Sequence, residues 1–161
     1  MAAKPKKPTT GVVASNRRAR RDFELGDTFE CGIVLKGSEV KSLRESKVTI
    51  ADTYARIVNN ELWLFGLHIG QYSSSGAAFA HNADRERKLL AHRSEIEQMR
   101  KAIDHDGRTL VPLQIYFKDG RAKIEVAIAR RRRHQDKRQQ IRERDADLEA
   151  KRAMSAGRNR R

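Results

Sequence analysis

Between Thr28 and Leu35, apolar Phe29, Cys31, Ile33 and Leu35 alternate with Glu30, Gly32 and Val34, the period of two that predicts a strand with one buried face. Gly37 interrupts the alternation. Val40 and Leu43, three apart among polar residues, then predict a short helix over 38–47, with Ser38 near its N-cap and Glu39 in its first turn. The runs 54–58 and 61–65 flank Asn59-Asn60, and asparagine tolerates the left-handed backbone of a two-residue turn, so the pair predicts a hairpin. Residues 70–84, small and polar without a period, predict a long exposed loop. Ser94 and Glu97 form an S-x-x-E capping box for a helix whose apolar face is Ile96, Met99 and Ile103 and which ends at Asp106-Gly107. From Thr109 to Phe117, Leu113, Ile115 and Phe117 share one face. Beyond the Asp119-Gly120 turn, Ala122, Ile124, Val126 and Ile128 answer them. Pro112 marks the start of that strand as an edge or a bulge.

At least five or six short, hairpin-linked strands with two interposed helices predict a mainly β, antiparallel fold with flanking helices. Closing such a sheet into a barrel removes its exposed edges, and small barrels are frequent nucleic-acid binders, a step that rests on analogy alone. Nowhere do about 18 apolar residues follow one another. Met1 to Pro8 is Lys/Pro-rich and lacks the apolar run of a secretion signal, so a cytoplasmic protein without membrane association is expected. Cys31 is the single cysteine, which excludes an intrachain disulfide, and its place in the alternation predicts a small buried hydrophobe.

Charge changes the picture. Residues 1–21 hold seven Lys/Arg and no acids, residues 130–161 hold thirteen against five, and residues 22–129 hold fifteen against sixteen. The net charge of +14 therefore sits at the two ends. A near-neutral body with two cationic arms suits a polyanionic partner, because each neutralised phosphate releases condensed counterions. The expected organisation is a disordered basic N-terminal arm over 1–15, one β-barrel domain over 16–129 and a basic tail over 130–161. Past the run 130–133 the tail is rich in helix formers, but its only apolar stripe is Ile141, Leu148 and Met154. So thin a stripe does not offset the cost of ordering about twenty residues, so the tail is expected to be disordered when free and helical on a partner.

Catalytic patterns are missing. Gly32 and Gly37 have the spacing of phosphate-loop glycines, yet Ser38 and Glu39 follow where Lys and Ser/Thr are required. The histidines His68, His81, His92, His105 and His134 are scattered without zinc-ligand spacing, and Ser73 to Ser75 lack the strand-turn-helix context of a nucleophile. No enzyme, cofactor or metal is expected. Cationic groups suggest RNA instead. Asn16-Arg17-Arg18-Ala19-Arg20-Arg21 and Lys41-Ser42-Leu43-Arg44 offer donors to phosphate, and Arg85, Arg87, Lys88 and Arg93 bracket Leu89-Leu90. Tyr54, Trp63, Tyr72 and Tyr116 have rings that can stack on bases, but their alternation beside Leu and Ile reads as core. Few aromatics interleave with the basic runs, which favours reading the shape and backbone of structured RNA. Glu30 and Lys123 lie on polar strand faces, where an acid among cations positions them or accepts a 2′-hydroxyl or base donor.

Taken together, Asn16-Arg17-Arg18-Ala19-Arg20, the block from Phe29 to Arg44, Arg87-Lys88-Leu89-Leu90 and Asp136-Lys137-Arg138 closely resemble small protein B, the SsrA-binding protein family. The resemblance runs from about Ser15 to Met154, and G-x-E-V-K-S-L-R at Gly37 to Arg44 is its most specific part. It implies an OB-like antiparallel β-barrel with a C-terminal tail. It also implies a non-catalytic factor that binds the tRNA-like domain of tmRNA (SsrA RNA) and carries it to the A site of a stalled ribosome for trans-translation and ribosome rescue. By position, Asn16, Glu30, Leu90 and Lys123 match residues of tmRNA engagement, and the block cations Arg17, Arg18, Arg20, Lys41, Arg44, Arg87 and Lys88 join them as candidate contacts. The tail matches the segment that lies at the ribosome decoding centre and in the mRNA channel, with Arg131, Arg132, Arg133, His134, Gln135, Asp136, Lys137, Arg138, Ile141 and Met154 as candidate contacts. Elongation factor Tu and alanyl-tRNA synthetase are implied as partners through charged tmRNA, and the protein is expected to be a monomer. Three positions depart from the family pattern: Arg21 replaces a usual His, Arg131-Arg132-Arg133 replaces Gly-Lys-Lys and stiffens the hinge, and Gln135 stands where an aromatic or His is expected. A basic ribosomal structural protein would share this charge layout, whereas a small nuclease would need an acid or histidine cluster in the body.

Overall fold

A computed structural model describes residues 11–74, 76, 78 and 80–158, apart from the side chains of 134–137 and 158. Two units meet at Arg130 and Arg131 and are described separately. The elements in order are β1 (Val12–Ser15), α1 (Arg17–Asp22), β2 (Phe23–Ile33), α2 (Gly37–Arg44), β3 (Val48–Thr49), β4 (Tyr54–Val58), β5 (Glu61–Phe65), β6 (His68–Ile69), β7 (Arg87–Leu90), α3 (Arg93–Asp106), β8 (Thr109–Lys118), β9 (Arg121–Arg131) and α4 (His134–Arg158).

The sheet order β1-β8-β4-β5-β7-β2-β9, with β9 also paired to β8, closes strands β4, β5, β7, β2, β9 and β8 into a ring. The expected antiparallel barrel with flanking helices is present. Closure leaves no long free edge in the ring, and β1 adds to β8 beside β4. Inward residues of each strand, among them Phe29, Cys31, Leu62, Leu64, Leu89, Ile115, Ile124 and Val126, fill the interior, while Leu43 of α2 and Met99 of α3 join the same cluster.

Local chemistry explains the turns. Asn59 and Asn60 take φ of 49° and 64°, and Val58 pairs with Glu61 across them. Asp119 and Gly120 do the same at 51° and 74° between Lys118 and Arg121. The β8–β9 ladder shifts register between Pro112 and Gln114, the bulge that a residue without an N–H demands.

Several elements differ from the sequence expectations. Helix α2 begins at Gly37 with Lys36 as N-cap, because Glu39 sits at the third helical position and accepts the Lys36 amide at 2.7 Å. Ser38 instead meets His81 Nδ1 at 3.0 Å. The capping box of α3 lies two residues before Ser94–Glu97: His92 is the N-cap, the helix starts at Arg93, and Glu95 accepts the His92 amide at 2.9 Å. Strand β1 lies within the arm expected to be disordered, held by backbone pairing to Gln114, Ile115 and Tyr116 and by Val13 and Ala14, which pack against the core; residues 1–10 lie outside the described residues. Tyr54, Trp63, Tyr72 and Tyr116 are not core: Ala55, Leu62, Leu64 and Ile115 take the inner positions and alternation sends Tyr54, Trp63 and Tyr116 outward, while Tyr72 lies half-buried outside any strand.

The second unit carries α4, helical in this chain where the sequence predicts helix only on a partner. Helix formers and i, i+4 spacings such as Asp147 to Lys151 support its backbone, while Ile141, Leu148 and Met154 remain exposed. Among the described residues no helix is long and apolar enough to cross a membrane.

Cys31 is wholly buried, and burial above all pushes its thiol up to about 12. An aromatic disulfide reagent at neutral pH is therefore expected to label the protein only after urea unfolds it; prompt labelling of the folded chain would contradict this packing.

Candidate nucleic-acid interface

Strands β2, β7 and β9 bound a groove of about 730 Å³ whose lining includes Glu30, Gly32, Leu90, Arg121 and Lys123, with Val40 of α2 and His92 at the start of α3. Leu90 pairs with Gly32 across the β2–β7 ladder. A Cβ on Gly32 would lie 3.3 Å from that of Leu90, so the missing side chain lets the leucine lie over its neighbour while remaining 54% exposed. An apolar side chain displayed beside charge is a feature that contact with a partner would explain.

Besides Glu95, which accepts the His92 amide at the start of α3, the groove holds the acid Glu30. Its carboxylate accepts the Tyr116 hydroxyl and the Lys118 ammonium, the latter at 3.2 and 3.3 Å. The β8–β9 register pairs Tyr116 with Lys123, which brings three strands to one polar cluster. The Tyr116 hydrogen bond holds Glu30 below the usual carboxylate range, helped by Lys118 and by the charge of Lys123 against a partial desolvation. Desolvation and the Glu30 bond raise Tyr116, so the phenol stays a donor. A fixed carboxylate can accept a 2′-hydroxyl or a base amino group, Arg121 and Lys123 can meet phosphate, and Leu90 can pack against a sugar or base face. Lys118 is missed by sequence reasoning and Tyr116 is read there as core; the only signal for the pair is a shared strand face with spacing of two.

Residues 13–156 match the family described as SmpB protein. The chain belongs to the SmpB protein family. It is 51% identical over 149 residues to an SsrA-binding protein of Anaeromyxobacter dehalogenans (strain 2CP-C), covering 92% of this chain and 91% of that one. It is 46% identical to an SsrA-binding protein of Streptomyces coelicolor, over 90% and 91% of the two chains. A chain of the solved structure described as "tmRNA-SmpB: a journey to the center of the bacterial ribosome" superposes with a TM-score of 0.64 at 41% identity, covering 80% of this chain and 94% of its own.

In this SmpB-family chain two sequence-predicted contacts are committed elsewhere. Arg87 has no exposed surface and is held on all three nitrogens: Nε donates to Glu39 at 3.1 Å, one terminal nitrogen to the carbonyls of Leu67 and Arg85 at 2.7 and 2.9 Å, and the other to the Ala83 carbonyl at 3.0 Å, while also lying 3.0 Å from the Glu39 carboxylate as an ion pair. It holds the core, not a phosphate. Asn16 is 7% exposed and caps α1: its Oδ1 accepts the Ala19 amide at 3.2 Å and its Nδ2 donates to the Pro112 carbonyl at 3.1 Å. It positions α1 rather than reaching outward.

The other cations are distributed. Arg17, Arg18 and Arg20 are exposed on α1, away from the groove lining. Lys41 lies 5.6 Å above the Tyr72 ring and Arg44 5.0 Å above Phe117, both exposed beside Val40 on α2. Lys88 is paired with Glu61 at 2.5 Å. On the tail of this SmpB-family member, Arg131, Arg133, Arg138, Ile141 and Met154 are exposed and Arg132 is half-buried. The side chains of His134, Gln135, Asp136 and Lys137 lie outside the described residues, where the departure at Gln135 also falls. No group of three His, Cys, Asp or Glu able to hold a metal occurs among the described residues.

Proposed function

We propose that this protein binds the tRNA-like domain of tmRNA in the groove of Glu30, Leu90 and Lys123, and delivers it to the A site of stalled ribosomes. The tail over 130–161 occupies the empty mRNA channel, so that trans-translation tags the nascent peptide and frees the ribosome. The observation that carries this reading is the groove itself, in which an exposed leucine, a fixed carboxylate and two cations converge in a family whose relatives are called SsrA-binding proteins. A near-neutral body does not attach to RNA by charge alone, so preorganised side chains must select one folded RNA. The tail instead supplies charge and reach. The protein acts in the cytoplasm as a monomer with no catalysis of its own, and meets elongation factor Tu and alanyl-tRNA synthetase through charged tmRNA. A basic ribosomal structural protein is disfavoured, because relatives named for binding one RNA give no reason for a general ribosomal component.

Competition binding of the tRNA-like domain against ordinary tRNA across salt tests the reading. Preference for the former is expected at every salt concentration, and Lys123→Ala and Leu90→Asp are each expected to weaken it by about tenfold or more, the scale of a lost charged hydrogen bond or of a carboxylate facing phosphate. Equal affinity for both RNAs with one common salt slope would mean nonspecific attachment and defeat the proposal.

A further inference from the structure

We infer that the barrel carries a second RNA site, a track for unpaired nucleotides centred on the ring of Tyr54. Strand β4 lies three strands from β2 in either direction round the ring, so this face is distinct from the groove, and the inference goes beyond the proposed function. On β4 and β5 the inner positions belong to Ala55 and Leu64, which turns the paired Tyr54 and Phe65 outward. Their rings stack with centroids 5.4 Å apart and planes 13° apart, and Tyr54 remains 44% exposed. An aromatic face held by a neighbour and open to solvent is a platform that costs little entropy to use.

Tyr54 is shared by two adjoining hollows. One, of about 530 Å³, also holds Arg56, Arg100 and Arg108, and the other, of about 270 Å³, holds Arg18 of α1. Four guanidinium groups thus flank one exposed ring. Their internal partners are weak or exposed: Arg18 is 4.0 Å from Asp52, Arg108 is 3.4 Å from Asp106, and Arg100 meets the Asn60 side chain. The exposed Arg56 side chain has no hydrogen-bond or ion-pair partner among the described residues, so its guanidinium is free to meet a ligand. The larger hollow has the size of a small-ligand site, and planar fork donors beside a stacking face match a base with its phosphates. Paired RNA hides its base faces and would leave the ring unused, which is why the ligand is unpaired RNA.

The test uses the full chain and a fluorescein-labelled oligoadenylate of about eight nucleotides, with excess double-stranded RNA present to occupy the cationic arms. Tyr54→Ala is expected to weaken binding about 5- to 150-fold, the range for one lost stacking partner, while Tyr54→Phe binds as the wild type. Arg56→Ala, an exposed change that leaves no partner behind, is expected to weaken binding and flatten the logarithmic salt slope by about 0.7. Trp63, the single tryptophan, pairs with Arg56 across the β4–β5 ladder, and its fluorescence is expected to change on addition of the oligonucleotide in the wild type and in Leu90→Asp alike. Wild-type affinity in both Tyr54→Ala and Arg56→Ala would overturn the inference, as would equal weakening by Leu90→Asp. Two further arms identify the source. Loss of affinity in Tyr54→Ala for full-length tmRNA, but not for its isolated tRNA-like domain, assigns the nucleotides to tmRNA. Loss for ribosomes alone assigns them to ribosomal RNA, and loss for neither rejects the track.

Discussion

Glu39→Ala is expected to lower the folding stability by about 3–5 kcal/mol, the cost of leaving a buried charge without its partner. Glu39 is completely buried and accepts four hydrogen bonds, from Arg85 at 2.8 and 2.6 Å, from Arg87 at 3.1 Å and from the Lys36 amide at 2.7 Å. Its removal would strand Arg87, itself without exposed surface, in an apolar interior. Set against a typical total of about 5–15 kcal/mol, the loss is a large share. Urea unfolding measures it: the midpoint should fall steeply with the slope unchanged, whereas an unshifted midpoint would show that the ion cluster contributes nothing.

The same cluster predicts acid sensitivity. Burial works to raise Glu39, but the bonds from Arg85 and Lys36 and the charges of Arg87 and Arg85 outweigh it, and the carboxyl lies below its ordinary 4.5. Burial lowers the Arg87 guanidinium while Glu39 opposes it, yet arginine stays protonated in acid, so the carboxylate decides the sign. A depressed folded value means that the contribution is complete above the unfolded value and disappears as pH falls through the folded one. In Glu39→Ala that part of the acid dependence should vanish. Because the cluster ties the start of α2 to β7, which ends at Leu90, weakened RNA selectivity should accompany the lost stability.

Arg144→Pro is expected to abolish tagging on stalled ribosomes while leaving affinity for the tRNA-like domain intact. Arg144 lies inside α4, where proline removes a backbone bond and clashes with the preceding turn, at about 3 kcal/mol or more. With Ile141, Leu148 and Met154 exposed in α4, the helix has little packing in its own unit to absorb that cost. Circular dichroism should show the lost helix, and in vitro tagging should fall to background while Arg144→Ala, which favours helix, retains it. Loss of RNA affinity together with tagging would show that body and tail do not divide the work as proposed.

Elements formed by near neighbours were legible before the fold was known. The Asn59-Asn60 and Asp119-Gly120 hairpins, the bulge at Pro112, the burial of Cys31 and the helix ending at Gly107 all follow from alternation or from backbone angles that few residue types adopt. Glu30, Leu90 and Lys123 were marked from polar faces and the family resemblance, and they line one groove. Arg87 is not legible as a buried residue, because a guanidinium beside two leucines looks identical in sequence whether it faces solvent or a buried acid.

What the sequence determined alone is therefore the local geometry, the class of fold and the placement of charge at the two ends, since each depends on residues within a turn or a strand of one another. Tertiary structure decided the rest. Glu39 finds Arg85 and Arg87 from 46 and 48 residues away, Tyr116 finds Glu30 from 86, and Asn16 finds Pro112 from 96. Such partners are chosen when the ring of strands closes, and closure also turns Tyr54 outward although its neighbours in sequence suggest the core. Burial and pairing across the barrel are properties of the closed sheet, and no periodicity along a single strand encodes them.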